Sequence, residues 1–257
     1  MDTSRFTAGD PAIEIPLVAP ACWHALDGGR VTGRAEAGAR PDGRVFLSVD
    51  AWHRSVFDRL AAAMLAALPD PLHTVVDGTD HELLASWQAA GLTIRRCEWE
   101  YVVPTAVEPT ALPPGVTIEP AAEGPLRALD RIVRAEVEAT VDWAEMPAEV
   151  LPWQRTDTVV DPKKYTVAVE NGEYVGLVRI VRAARLPRIG LVAVRADRQR
   201  HGIARALLTH SLNTLHRNGI SHAYAEVNET NTAATALFDG IGARRADSIV
   251  ELMRDGK

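Results

Sequence analysis

The stretch LVAVRADRQRHGIARALL, residues 191–208, decides how the rest of the chain is read. Leu191-Val192-Ala193-Val194 is a short apolar run that reads as a strand. Residues 195–201 are polar and cationic. Gly202-Ile203-Ala204 then opens an amphipathic helix, with Ala204, Leu207, Leu208, Leu212 and Leu215 at helical spacing. Strand, basic turn, glycine and helix together are the layout of an anion site. The first turn of a helix carries unpaired N–H groups and the positive end of the dipole, and glycine lets a ligand approach the backbone. Arg198 and Arg200 add cationic side chains beside that turn.

Downstream, Asn218-Gly219 ends the helix, and residues 221–227 form a strand carrying His222, Tyr224 and Glu226 on one face. Asn231 caps a last helix whose inner face is Ala234, Leu237, Phe238 and Ile241; Gly242 stops it, and residues 246–253 close the chain with a strand. Upstream, strands 165–169 and 174–181 flank Asn171-Gly172, a hairpin turn whose residues tolerate positive φ, and 189–194 is the next strand. A strand over 116–119 and a helix over 126–139 precede them. Residues 142–154 form a loop or short helix with Trp143 and Trp153, more often core residues than a substrate platform.

Residues 104–115, PTAVEPTALPPG, hold four prolines in twelve positions and read as a linker. Before it come a strand at 45–49, a helix at 56–68 stopped by Pro69, a strand at 73–76, a helix from Asp80 to Gly91 and a strand at 93–103. Residues 21–43 are rich in Gly and Ala, with turn signals at Asp27-Gly28 and Asp42-Gly43. The expected fold class is α/β (α+β), each unit a mixed, mostly antiparallel sheet flanked by helices: residues 1–103, a linker 104–115, and residues 116–257.

The two halves echo each other. Val76-Asp77-Gly78-Thr79-Asp80 lies over Val227-Asn228-Glu229-Thr230-Asn231, and without a gap Leu83, Trp87 and Gly91 fall over Ala234, Phe238 and Gly242. Leu47-Ser48-Val49 lies over Val192-Ala193-Val194. Between these blocks the first copy is about six residues shorter, and the missing piece is where the second holds residues 198–202. A repeat of about 150 residues is a domain duplication.

These residues resemble the GNAT acetyltransferase superfamily. Gln199-Arg200-His201-Gly202-Ile203-Ala204 fits its phosphate-loop pattern Q/R-x-x-G-x-G/A, here after a V-x-V strand and before a helix. Glu226-Val227, then Asn231, Ala234, Leu237-Phe238 and Gly242-Ala243, resemble its second conserved block, and the Asn171-Gly172 hairpin stands just before the coenzyme strand. The resemblance covers roughly residues 116–253. The first half resembles a degenerate copy, as in tandem members of the family.

The resemblance implies transfer of an acetyl group from acetyl-CoA to an amine. The backbone of Val192, Ala193 and Val194 would pair with the pantetheine arm. Arg200, His201, Gly202, Ile203, Ala204 and Arg205, preceded by Gln199, would hold the pyrophosphate, and Asn231 and Phe238 would lie near the pantetheine and thioester. Glu226, twelve residues before Phe238, takes the general base's place; the other reading is an ion pair with an arginine. Many members carry Tyr where Phe238 stands. Phe cannot protonate the leaving thiolate, so Tyr165 or Tyr224 would substitute, or the thiolate leaves unaided. Asp142 and Glu145 could bind a cationic acceptor. The first copy lacks the loop and is expected to bind no coenzyme.

Composition agrees with a soluble enzyme. The chain has 257 residues, 47% hydrophobic and 24% charged, with a net charge of −6 and no basic block of the kind that binds nucleic acid. No apolar run reaches the roughly 20 residues of a membrane span. Residues 1–20 lack the apolar centre of a signal peptide, so a cytoplasmic location is expected. Cys22 and Cys97 have neither metal-ligand nor redox spacing. No cysteine follows residue 116, so direct transfer to a small-molecule amine is expected, with no acetyl-enzyme. Alternatives are a non-catalytic CoA-binding module and a protein N-terminal acetyltransferase. Oligomeric state is left open.

Overall fold

The computed structural model describes residues 13–40, 43–139, 161–181 and 186–256. The loop at 142–154, with Asp142, Trp143, Glu145 and Trp153, lies outside the described residues. Two compact units divide the chain: the first runs up to Arg95 and takes back the residues from Val250 onward, and the second is Arg96–Ile249. The division therefore does not fall at the proline run.

In the first unit β1 (Leu17–Ala19), β2 (Cys22–Asp27), β3 (Arg30–Ala39) and β4 (Val45–Ala51) pair antiparallel in sequence order. α1 (Arg54–Ala67) then crosses to β5 (Leu72–Asp77), parallel to β4, and α2 (His81–Ala89) follows. The Gly- and Ala-rich stretch at 21–43 carried no strand signal beyond its turns, yet it is the β2–β3 hairpin. Its small residues are dictated by α1. A Cβ on Gly33 would stand 2.7 Å from Val56 Cγ1 and 2.9 Å from Leu60 Cδ1, so the helix rests directly on the strand. Val56, Phe57, Leu60, Ala61 and Met64 are its buried stripe, and Phe57 meets Trp87 of α2 edge-on at 5.0 Å.

The second unit holds most of β6 (Thr93–Pro104), then β7 (Val116–Pro120), α3 (Glu123–Glu138), β8 (Tyr165–Glu170), β9 (Glu173–Val181), β10 (Arg188–Val194), α4 (Ile203–Arg217), β11 (His222–Asn228), α5 (Thr232–Gly240) and the start of β12 (Arg244–Arg254). Its strands run in the order β12-β6-β11-β10-β9-β8-β7. Asn171 and Gly172 turn the β8–β9 hairpin at φ 53° and 82°, as an Asn-Gly pair allows. One face of the sheet packs on α3 through Leu126, Leu129, Val133, Tyr165, Val167 and Leu177. The other packs on α4 and α5 through Leu208, Leu212, Phe238, Ala223, Ala225 and Val227.

Two expectations are corrected here. Strand β6, expected in the first unit, pairs with β11 from His222↔Pro104 to Asn228↔Glu98. The expected linker is a strap along α4: Asn213 Nδ2 donates to the Val107 carbonyl at 3.0 Å, and the Thr110 amide to Thr209 Oγ1 at 3.3 Å. Proline leaves carbonyls free to accept such bonds while removing donors.

Candidate active site

β10 and β11 run parallel but share a single rung, Arg188 opposite Tyr224. Beyond it the strands diverge. A register shift between Ile189 and Leu191 on the β9 side sends Leu191 and Ala193 toward α3 and Val192 and Val194 toward α4. Residues 191–194 are half-buried although they lie in mid-sheet, because among the described residues no strand lies against their β11-facing backbone edge. An extended chain carrying amide groups can hydrogen-bond to such an edge as another strand would.

The edge leads into the loop. Arg200 (φ 64°) and Gly202 (φ 84°) both adopt the left-handed conformation, which turns successive N–H groups toward one point. Gly202 is the N-cap of α4 and has no side chain to cap with. The first helical bond there runs from the Ala206 amide to the Gly202 carbonyl at 3.0 Å. The amides of Ile203, Ala204 and Arg205 precede it and are the orphan donors of the helix start. Gln199 Nε2 donates to the Val194 carbonyl at 3.1 Å, tying the loop to the strand end.

Of the two arginines beside the turn, Arg200 is exposed and Arg198 is engaged in ion pairs, as is Arg195. Arg198 binds Glu170 at 2.5 Å and Asp197 at 3.0 Å, and Arg195 binds Glu173 at 3.0 Å and Asp197 at 3.2 Å. The Glu170 hydrogen bond, reinforced by the Asp197 charge, holds Arg198 above the usual arginine range. These two cations are matched by three carboxylates. What the loop can offer an anion is therefore chiefly its backbone dipoles, with Arg200 and His201 exposed beside them. Ile203 is buried as the helix's first core residue. Arg205 donates to the Gly240 carbonyl at the end of α5, so its side chain fastens two helices.

Glu226 sits two residues beyond the shared rung. Ala223, Ala225 and Val227 are buried toward α4 and α5, so His222, Tyr224 and Glu226 share the opposite face, as strand alternation predicts. Arg188 donates to Glu226 Oε2; the arginine partner that the sequence left as an alternative is there. Glu226 Oε1 has no partner among the described residues. Asn231 Oδ1 accepts from the Ala234 amide at 3.0 Å and caps α5.

Phe238 lies in the core, on the inner face read for its helix. It is 4% exposed and stacks on Tyr101 of β6 with centroids 5.4 Å apart. Tyr165, named as a substitute donor, is likewise buried, in the α3 cluster, whereas Tyr224 shares the face of Glu226. Tyr101 was missed because its strand reads as part of the first copy. Its hydroxyl donates to Asp239 at 2.9 Å and accepts from Arg245 Nε at 2.9 Å, and burial raises it above the ordinary tyrosine range. Cys97 also falls in the second unit, against the expectation of no cysteine there. Burial, then the Glu229 carboxylate, raises its thiol, which disfavours the nucleophilic thiolate.

A parallel strand pair that opens beyond a bulge, followed by a glycine-capped helix, offers backbone hydrogen-bonding groups to an extended chain and unpaired amides to an anion. Residues 129–243, somewhat under half of the chain, match the acetyltransferase (GNAT) family. A segment of 55 residues, 21% of the chain, is 40% identical to the [Ribosomal protein bS18]-alanine N-acetyltransferase of Escherichia coli and covers 37% of that protein's length. Among solved structures, a GCN5-related N-acetyltransferase from Sphaerobacter thermophilus superposes with a TM-score of 0.66 at 19% identity, over 91% of this chain and 80% of that one. A tandem GNAT protein from the clavulanic acid biosynthesis pathway gives 0.63 at 16% identity, over 93% and 85%. No described helix is long and apolar enough to cross a membrane.

Proposed function

We propose that the second unit is an acetyl-CoA-dependent N-acetyltransferase acting in the cytoplasm on the amine of a small molecule, by direct transfer in a ternary complex. The observation that carries this reading is the open β10 edge running into the Gly202 helix start. The backbone of Val192, Ala193 and Val194 offers strand-like bonds to the pantetheine arm. The amides of residues 200–205, after Gln199, cradle the pyrophosphate, and Asn231 lies at the start of α5 near the thioester end. Acetyl-CoA supplies an activated acyl group. The amine nitrogen forms its bond to the carbonyl carbon, the carbon–sulfur bond breaks, and the amine's proton passes to Glu226 Oε1. The sulfur leaves as thiolate. A thiol with a pKa of about 8.5 is a competent leaving group without a donor, which accommodates phenylalanine at position 238.

The acceptor could instead be a peptide N-terminus, a reading favoured by the 55-residue match to an alanine N-acetyltransferase. Calorimetric titration with acetyl-CoA tests the coenzyme site; saturable one-to-one binding is expected, and its absence overturns the proposal. CoA release is then followed over a panel of amines: spermidine, glucosamine, free amino acids and a tripeptide beginning with alanine. Saturable release with the tripeptide alone replaces the small-molecule reading. Release with none leaves a coenzyme-binding module in place of an enzyme. Glu226→Gln is expected to lower kcat by about 10²–10⁴-fold, the usual worth of a general base, with acetyl-CoA affinity unchanged. An unchanged kcat assigns the proton to another group.

A further inference from the structure

The first unit has an opening of its own. Strands β4 and β5 pair only as far as Phe46↔His73, although β4 runs on to Ala51 and β5 to Asp77. The parted strands border a half-open cavity of about 210 Å³, lined by Ser48 and Val49 of β4, Val75 of β5, Leu83 and Trp87 of α2, and Arg40. All of these residues lie within the first unit. The walls are mostly apolar. Val75 is 41% exposed although β5 is an interior strand, so an apolar body entering here would take it out of water.

One bond sets this opening apart from that between β10 and β11. The buried Thr74 hydroxyl donates to the Leu47 carbonyl at 2.9 Å. In the repeat, Leu47 lies over Val192 and Thr74 over Ala225, and an alanine side chain has no donor for such a bond. The first unit thus satisfies this carbonyl from within, and an amide-bearing arm would have to compete for it. What the cavity offers instead is a cation. The Arg40 guanidinium lies 3.5 Å from the centroid of the Phe46 ring, and Phe46 stacks on His73 at 5.2 Å. His73, Arg44 and Arg95 are all engaged with Glu251. Arg40 is half-buried, and its guanidinium makes no hydrogen bond or ion pair among the described residues. A guanidinium stacked on a ring uses its face there and keeps its N–H donors, which point outward in its plane, for a carboxylate.

We propose that the first unit binds a small amphipathic carboxylate between β4 and β5, with its carboxylate on Arg40 and its apolar body against Val75, Leu83 and Trp87. The site uses no residue of the second unit and stands whether or not that unit binds acetyl-CoA.

The test is a titration of the full-length protein with hexanoate, followed by ligand-observed NMR. Saturable binding is expected. Hexanamide, which lacks the charge, should bind about tenfold or more weakly, the worth of a charge-assisted hydrogen bond. Acetate, which lacks the body, should also bind about tenfold or more weakly, because it takes fewer methylenes out of water. Arg40→Gln should weaken hexanoate about tenfold and remove its advantage over hexanamide. Leu83→Trp, at a half-buried position, should fill the cavity and abolish binding with Arg40 intact. If that variant fails to fold, Val75→Glu, at an exposed position, replaces it and should repel the carboxylate. Gly202→Glu should leave hexanoate affinity within about twofold, which keeps this site apart from the coenzyme reading. The proposal is overturned by an absence of saturable hexanoate binding, by acetate or hexanamide binding as tightly as hexanoate, or by full affinity in Arg40→Gln. A loss of hexanoate binding in Gly202→Glu would place the carboxylate in the second unit and overturn it as well.

Discussion

The two units build one turn and one helix in the same way, almost bond for bond. In the first, Asp77 Oδ1 accepts from the Thr79 amide at 2.8 Å and hydroxyl at 2.6 Å, and Asp80 caps α2 through the Leu83 amide at 2.9 Å. In the second, Asn228 Oδ1 accepts from the Thr230 amide at 2.9 Å and hydroxyl at 2.8 Å, and Asn231 caps α5 through the Ala234 amide at 3.0 Å. Each helix then buries an aromatic residue, Trp87 or Phe238, and ends on a left-handed glycine, Gly91 or Gly242. The parallel pair that carries each turn is also short: β4 and β5 share two rungs, β10 and β11 one. The units part company at the helix before the turn. α4 starts from left-handed Gly202 after left-handed Arg200, whereas α1 starts from His53 in an extended conformation with nothing turned inward. The same turn-and-helix scaffold occurs twice, and the left-handed, glycine-capped helix start occurs once.

The largest test of that difference is Gly202→Glu. A side chain at φ 84° costs about 1–2 kcal/mol in the left-handed region, and a carboxylate there opposes an incoming pyrophosphate. Acetyl-CoA affinity should fall by about 100-fold or more, since 1.4 kcal/mol is tenfold. His53→Glu, at the matching helix start, should leave the affinity as it is. Calorimetry on both variants checks this. Equal losses would mean that the first unit also binds the coenzyme, and no loss in either would place the anionic end elsewhere.

A middle-sized effect probes what the first unit does keep. Gly33 carries α1 as Gly176 carries α4, but the fit differs. A Cβ on Gly176 would approach Leu207 Cδ1 at 3.1 Å, whereas on Gly33 it would clash with Val56 at 2.7 Å. Gly33→Val should cost about 1–3 kcal/mol by overpacking and lower the melting temperature by several degrees. Acetyl-CoA affinity should be unchanged if the first unit has no part in the site. A loss of affinity matching the loss of stability would show that it does.

What the sequence disclosed follows the same divide. Local chemistry was legible: the Asn171-Gly172 turn, the Asp80 and Asn231 caps, the helix stripes and the glycine of the loop all act within a few residues of themselves. The internal repeat was legible because its turn bonds depend on side chains at fixed offsets. Partners distant in the chain were not. Nothing near Thr93 says that its strand pairs with β11, so Tyr101, the ring on which Phe238 stacks, stayed hidden. The β2–β3 hairpin was missed because Gly33 is small for the sake of α1, a demand visible only in the packing. The ion pair of Arg198 was not legible because Glu170, in a strand well upstream, gave no local sign of reaching it.

The smallest effect lies in the turn the units share. Asp77 and Asn228 make the same two bonds, but only Asp77 can titrate. Bonds from the Thr79 hydroxyl and amide hold the Asp77 carboxyl below the usual carboxylate range. A carboxyl whose folded-state value is depressed adds stability above its unfolded value, about 3.9, and loses that stability as pH falls through the depressed value. Asp77 is exposed, so solvent screening limits the gain to below about 0.5 kcal/mol. Melting curves of the wild type and Asp77→Asn should therefore differ slightly at neutral pH and converge below pH 4, because the variant's turn behaves like that of the second unit. Asn228→Asp should introduce the converse, a new loss of stability on acidification. If Asp77→Asn tracks the wild type at every pH, the Thr79 bonds are equally strong to an amide and a carboxylate. Charge would then play no part in a turn that both copies retain, and its persistence would rest on geometry alone.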